Sequence, residues 1–281
     1  MTNNDINKLP AQIRRDIVRM VHGVQSGHPG GSLGTVEFFT ALFFNILEAQ
    51  PENYKINSTG EDVFLLSNGH ITPVYYSTLA RRGYFDIKEL ASFRKLGSRL
   101  QGHPSVHDGL PGVRIASGSL GQGLSVALGV AQGKKLNNDP HLVYTLHGDG
   151  ELQEGQIWEA VLYAGAKKVD NLIATIDYNN AQIDGTVDEV LSLGNLQAKF
   201  EAFNWTVVNI EQGNDLQAVT EGLKKAKSLT AKGKPIAVLL HTQMGYGIDF
   251  MQGDYRWHGK PLNDEQLQKA LTQLPETLGD Y

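Results

Sequence analysis

The 281-residue sequence contains no cysteine. Disulfide scaffolds, thiolate metal sites and cysteine nucleophiles are therefore excluded. Nor is there a basic excess: 25 Lys and Arg stand against 30 Asp and Glu, for a net charge of −5. A nucleic-acid or anionic-membrane partner would call for the opposite balance. No apolar run is long enough to span a bilayer, and the longest, from Val36 to Leu47, is broken by Glu37, Thr40 and Asn45. The N-terminus, MTNNDINKLPAQIRRDIVRM, lacks the apolar stretch of a secretory signal, so a cytoplasmic protein is expected. Internal repeats, low-complexity tracts and long linkers are missing too. With 41% apolar and 20% charged residues, a folded core of one large or two small domains is expected.

What is abundant is glycine, at 31 residues, above the average share of about 7%. Six of the nine histidines, His22, His28, His70, His103, His147 and His258, sit directly beside a glycine. Glycine lets backbone approach a ligand closely, and histidine is the commonest acid–base side chain.

Five short apolar runs read as strands: Val63–Leu66, Leu142–Leu146, Leu172–Ile176, Thr206–Ile210 and Ile236–Leu240. They are continuous rather than alternating, which suits a parallel sheet covered on both faces. Helical patterns fall between them, at Pro10–Gln25, Thr35–Glu48, Pro73–Arg82, Ile87–Leu96, Leu120–Leu136, Glu154–Lys168 and Asp215–Thr230. The Leu120–Leu136 pattern reads as a buried helix. Asp215 reads as an N-cap, and Asn263 with Gln266 as a capping box before a last helix. The expected fold is a three-layer α/β domain over residues 1–281, a mainly parallel sheet with helices on both faces.

Such sheets bind ligands at the carboxyl ends of their strands. The segments there are Ser67-Asn68-Gly69-His70, His147-Gly148-Asp149-Gly150, Asp177-Tyr178-Asn179-Asn180 and His241 to Gly247. Taken singly, Asp-Gly and Asn-Asn are ordinary turns. Each placed after a strand, Asp149 and Asn179 offer a carboxylate and an amide oxygen. With one loop carbonyl they make half of an octahedral Mg²⁺ shell, which phosphate oxygens and water would complete. The helix N-terminus near Glu154 favours a phosphate.

The run GDGELQEG followed by DNLIATIDYNNAQIDG resembles the diphosphate-binding motif of thiamine diphosphate enzymes. SGHPGGSLG, LSNGH, GSLGQGLSVALGVA, GHP and WHGKPL narrow the resemblance to the transketolase family, over about Leu9 to Leu262. The resemblance implies thiamine diphosphate and a divalent cation (Mg²⁺, or Ca²⁺ or Mn²⁺) as cofactors. Asp149, Asn179 and the carbonyl of Ala181 match the metal ligands. His70, Gly150 and Glu151 match the diphosphate side, Gly118 and Leu120 the aminopyrimidine side, and Ile183 a thiazolium contact. His28, His103 and His258 match residues that face the substrate, and His28, His103 and His70 carry the acid–base work. Glu154 matches an acid between the two cofactors of a dimer. One position departs from members with two histidines near WHG: the first is Tyr255 here. Lys260 matches the lysine that animal-type members place near the diphosphate.

All these motifs belong to the family's first domain. A separate C-terminal subunit with the aminopyrimidine-binding and C-terminal domains is therefore expected, in an α2β2 assembly acting on sugar phosphates. The expected activity is transfer of a two-carbon ketol unit. Two other readings stay open: a split enzyme for a branched or sulfonated ketose, and a non-catalytic assembly subunit.

Overall fold

The computed structural model describes residues 3–281. The N-terminal part is helical: α1 Asn3–Ile6, α2 Leu9–Val24, α3 Pro29–Gly34 and α4 Val36–Ala41. The sheet then begins with β1 Val63–Leu66, followed by α5 Thr72–Arg82 and α6 Gly123–Leu136. Next come β2 Val143–Gly148, α7 Gly155–Ala166 and β3 Leu172–Asp177. A small hairpin, β4 Ala181–Gln182 and β5 Gly185–Thr186, leads into α8 Val187–Leu191 and α9 Leu196–Ala202. The chain closes with β6 Thr206–Ile210, α10 Leu216–Ser228, β7 Ile236–Leu240 and α11 Asp264–Gln273.

The main sheet has the order β1-β2-β3-β7-β6, with every neighbouring pair parallel. All five strands coincide with the apolar runs of the sequence. Their continuity has a simple cause. Phe64 and Leu66 point to one core and Val63 and Leu65 to the other, and Ile236, Val238 and Leu240 alternate with Ala237 and Leu239 in the same way. Residues of α2, α4, α5 and α10 cover the first face, and those of α6, α7 and α9 the second. This is the three-layer α/β arrangement expected.

Two expected helices differ. Ile87–Leu96 forms only a short 3-10 turn, Ile87–Ser92, because Arg94 and Gly97 take left-handed φ values of 55° and 78°. Leu96 is left in solvent. The helix Leu120–Leu136 starts at Gly123 and is buried on one face only: Leu124, Ala127, Leu128 and Ala131 pack inward, while Val126 and Leu136 are exposed. Thr35–Glu48 continues α4 with a π turn, Leu42–Ile46. The caps fall as expected, with Asp215 accepting from Ala218 N–H at 2.7 Å and the Asn263/Gln266 box closed in both directions.

Helix α3 has little sequence signal beyond Pro29 at its start, since glycine weakens helices by about 1 kcal/mol relative to alanine. Packing explains it. A Cβ at Gly30 would sit 2.8 Å from both Met244 Cγ and the Trp257 carbonyl oxygen. Arg14 locks this corner from below. It donates to both Glu37 oxygens at 2.8 and 2.7 Å, to the Leu33 carbonyl at 3.3 Å and to the Tyr246 carbonyl at 3.0 Å. One buried ion pair thus joins α2, α3, α4 and the loop after β7.

Candidate functional site

The four strand-end segments do meet on one edge of the sheet. They wall a cleft of about 290 Å³, joined by His28 at the start of α3, the His103 loop, the segment Gly118–Leu120, the β4–β5 hairpin and His258. Every residue expected at the site lines this cleft except Glu154 and Lys260. Lys260 is exposed, with its Nζ 5.0 Å from the centre of the Trp257 ring, so its ammonium lies outside the cleft wall. Glu154 is exposed at the N-cap of α7, and its side chain crowds Gly121 instead.

Two buried acids form the floor. Asp149 ends the turn after β2 and accepts from Gly150 N–H at 2.8 Å and Asn180 N–H at 2.6 Å. Asp177 ends β3, accepting from Asn179 Nδ2 at 2.7 Å and from the Thr242 hydroxyl. Burial, and then the Asp177 charge, push Asp149 up to about 8; burial pushes Asp177 up to about 6. Two carboxylates placed so close under low solvent access call for a cation. No group of three or more His, Asp or Glu side chains is placed to hold a metal among the described residues. The oxygens that could hold a cation here are the Asp149 carboxylate, the Asn179 amide and the Ala181 carbonyl, a hard-oxygen set that would suit Mg²⁺ if ligand phosphates completed it. Asp177 was legible only as a strand-end acid; its place beside Asp149 needs the register of β2 and β3, which pairs Gly148 with Asp177.

Four histidines line the same cleft. Ring centres of His28 lie 5.0 Å from His70, 5.5 Å from His258 and 6.4 Å from His103, and His70 lies 5.0 Å from His258. Burial, with the neighbouring imidazoles, lowers His28 to about 4 and holds His70 well below the ordinary histidine value. His103 and His258 are lowered by burial too. All four are therefore neutral at pH 7, the state in which an imidazole both accepts and donates a proton.

Polar atoms of this cleft are left without partners: Asn68 Oδ1, Gln182 Nε2, His28 Nδ1 and His258 Nδ1 are buried and unbonded. Buried polar groups are ordinarily paired, so this concentration marks a site for a polar ligand. The cleft thus fits a phosphorylated cofactor held with a cation.

Glu151 is buried beside the cleft but turns its carboxylate inward. It accepts from Ser67 Oγ at 2.5 Å, Gly121 N–H at 2.8 Å and Gly148 N–H at 3.2 Å, with His147 Nδ1 at 3.5 Å. Its pKa is lowered; burial opposes the charge, and His147, Ser67 and Gly121 outweigh it. It ties together the loops after β1, before α6 and after β2. Glu151→Ala leaves those donors unpaired, so a loss of about 3 kcal/mol in urea unfolding is expected. A change under about 1 kcal/mol would show that the loops hold without it.

The remaining histidines stand apart. His22 bonds Asp264 at 2.8 Å, His141 bonds Asp139 at 2.6 Å and His107 is exposed. His147 bonds Thr145 at 2.8 Å beneath the Asp149 turn. His241 lines a separate open depression beside β6 and β7. No helix among the described residues is long and apolar enough to cross a membrane.

Residues 7–276 match the family model described as transketolase, thiamine diphosphate binding domain. The chain is 37% identical over 262 residues to the 6-deoxy-6-sulfo-D-fructose transketolase subunit of Clostridium sp., covering 93% of each chain. It is 36% identical over 277 residues to an apulose-4-phosphate transketolase subunit of Actinobacillus succinogenes, covering 98% of each. Human transketolase is 31% identical, across 94% of this chain but 41% of that one. The crystal structure of Campylobacter jejuni transketolase superposes with a TM-score of 0.87 at 33% identity, covering 97% of this chain and 43% of that one. The chain therefore spans nearly the whole of these subunits and about two fifths of the longer transketolases. It belongs to the transketolase family, within which it corresponds to the thiamine diphosphate binding domain.

Proposed function

We propose that this chain is the diphosphate-holding subunit of a two-chain transketolase. With a partner carrying the aminopyrimidine-binding and C-terminal domains, it moves a two-carbon ketol unit from a ketose phosphate to an aldose phosphate. The observation that carries this reading is the cleft itself, lined by a buried acid pair and four neutral histidines. Relatives of the same length being named as subunits supports the two-chain arrangement. Those relatives are named for a ketose bearing a sulfo group and one bearing a phosphate. A ketose with an anionic far end is the substrate class that follows for this chain. The intact cation set and histidine wall argue against a non-catalytic role.

In this reading Asp149, Asn179 and the Ala181 carbonyl hold Mg²⁺, and His70 with the Gly150 turn faces the diphosphate. Gly118 has φ +133°, and a Cβ there would sit 2.6 Å from a ring carbon of His103, so this wall admits only glycine beside Leu120. Ile183, exposed on the hairpin, offers an apolar contact to the thiazolium. Bound thiamine diphosphate supplies the carbon nucleophile and electron sink that break a carbon–carbon bond beside a ketone. The chain's part is to orient the ketose and move its protons. His28, His103 and His258 line the substrate side, and their neutral rings can take a hydroxyl proton and return it.

A second copy of the chain is part of the proposal. Val126 on α6 and Leu162 and Tyr163 on α7 are exposed, apolar side chains suited to an α–α contact, in which Glu154 at the start of α7 would meet its counterpart.

Calorimetric titration of thiamine diphosphate into the complex tests the cofactor assignment. Saturable binding that disappears when the divalent cation is chelated is expected. Binding indifferent to the cation, or none, would overturn the assignment.

A further inference from the structure

The β4–β5 hairpin carries a polar side chain that none of these roles uses. Gln182 ends β4 and pairs with Gly185 across the turn. Its side chain lies over the turn after Asp149: a Cβ built on Gly150 would sit 3.2 Å from Gln182 Cβ and 3.3 Å from its Oε1. The base of the hairpin is tied down. Asn180 N–H donates to Asp149 Oδ2 at 2.6 Å, and Asp188 N–H donates to Asn180 Oδ1 at 3.1 Å. Yet Gln182 Nε2 is buried without a partner, and the residue lines the same cleft as Asp149, Gly150 and His70. A buried unpaired amide donor is costly, and no protein acceptor is in place to receive it.

The chemistry of this wall selects the ligand atom. Asp149 and Asp177 already put two carboxylates at the floor, so a third negative group would repel an anion held there. A neutral amide brings donors without charge. It is suited to an oxygen that is itself anionic, since hydrogen bonds to ionised acceptors are roughly twice as strong as neutral ones.

We infer that Gln182 is a ligand-binding residue whose Nε2 donates a hydrogen bond to an anionic oxygen of the diphosphate held at Gly150. The inference rests on the cofactor assignment above. It also accounts for the hairpin's tether to Asp149: the same backbone bond that steadies the cation ligand sets the height of the donor.

The test is titration of thiamine diphosphate, at saturating Mg²⁺, into the two-chain complex bearing wild-type chain, Gln182→Leu, Gln182→Glu or Asp149→Asn. Gln182→Leu removes the donor and is expected to raise Kd about 10- to 100-fold. Gln182→Glu sets acceptor against acceptor and is expected to weaken binding further. Thermal unfolding of the cofactor-free chain should not fall in Gln182→Leu, because the amide nitrogen bonds nothing in it. If both Gln182 variants bind within about twofold of wild type while Asp149→Asn does not bind, the inference fails and the cofactor assignment stands. Tighter Mg²⁺ binding by Gln182→Glu would also overturn it, by showing that the amide oxygen faces the cation. No binding by wild type would overturn the assignment and the inference with it.

Discussion

Asp149→Asn is expected to weaken binding of thiamine diphosphate with Mg²⁺ by about 100-fold or more, and to take ketol transfer with it. Loss of an outer partner of a metal ligand already costs about 10- to 100-fold in metal affinity, and Asp149 is placed to ligate directly. The cation-free chain offers an independent readout. Asp149 is pushed up to about 8 and Asp177 to about 6, both above the ordinary carboxylate value. Across that window the folded chain holds more protons than the unfolded one. Stability from the protonated pair is present at low pH and is lost as pH rises through the folded-state values. The lowered histidines act the other way, but only below their ordinary value of 6.5. The unfolding temperature of the cation-free chain is therefore expected to fall between about pH 6.5 and pH 8. Saturating Mg²⁺ with cofactor should abolish the fall, and Asp149→Asn should flatten it. Scanning calorimetry at several pH values gives both results. A flat wild-type profile without cation would mean that the two acids are not coupled as described.

The second large effect belongs to the histidine wall. His28→Asn is expected to lower kcat/KM by about 10²- to 10⁴-fold, the usual worth of a positioned acid–base group. The cofactor Kd should stay within about threefold, because the anion and cation are held by other residues. The reason lies in the packing. Burial beside His258, His103 and Arg94 lowers His28 to about 4, so its ring is uncharged at neutral pH and able to exchange protons with a hydroxyl. Were it charged, it would hold an unpaired charge in a buried wall and lose its acceptor nitrogen. A loss of activity explained wholly by weaker cofactor binding would remove His28 from the proton-transfer role. Steady-state kinetics beside a cofactor titration separates the two.

Much of this site could be read from residue order because strand ends converge by topology. Once five apolar runs are taken as parallel strands, the segments after β1, β2, β3 and β7 must share an edge, and Asn68, His70, Asp149 and Asn179 arrive together. What escaped depends on contacts between distant segments. Helix α3 exists because Gly30 must pass within reach of Met244 and Trp257, a tertiary demand that overrides glycine's poor propensity. The β4–β5 hairpin reads as a loop, since its strands are two residues each, so Gln182 gave no signal. Lys260 sits two residues after His258, yet the chain turns so that the imidazole enters the cleft and the ammonium lies over Trp257. Glu151 and Asp149 stand two apart in one turn, and one carboxylate ties loops together while the other joins Asp177 in the cleft. Spacing alone does not say which.

The most direct measurement is ketol transfer by purified chains, alone and mixed. The assay takes a ketose with an anionic far end as donor, an aldose phosphate as acceptor, thiamine diphosphate and Mg²⁺. The chain alone and the partner alone are expected to show no transfer above background, and the equimolar mixture to turn over with product rising linearly in complex concentration. Robust transfer by this chain without a partner, or none by a mixture that demonstrably binds the cofactor, would contradict the account.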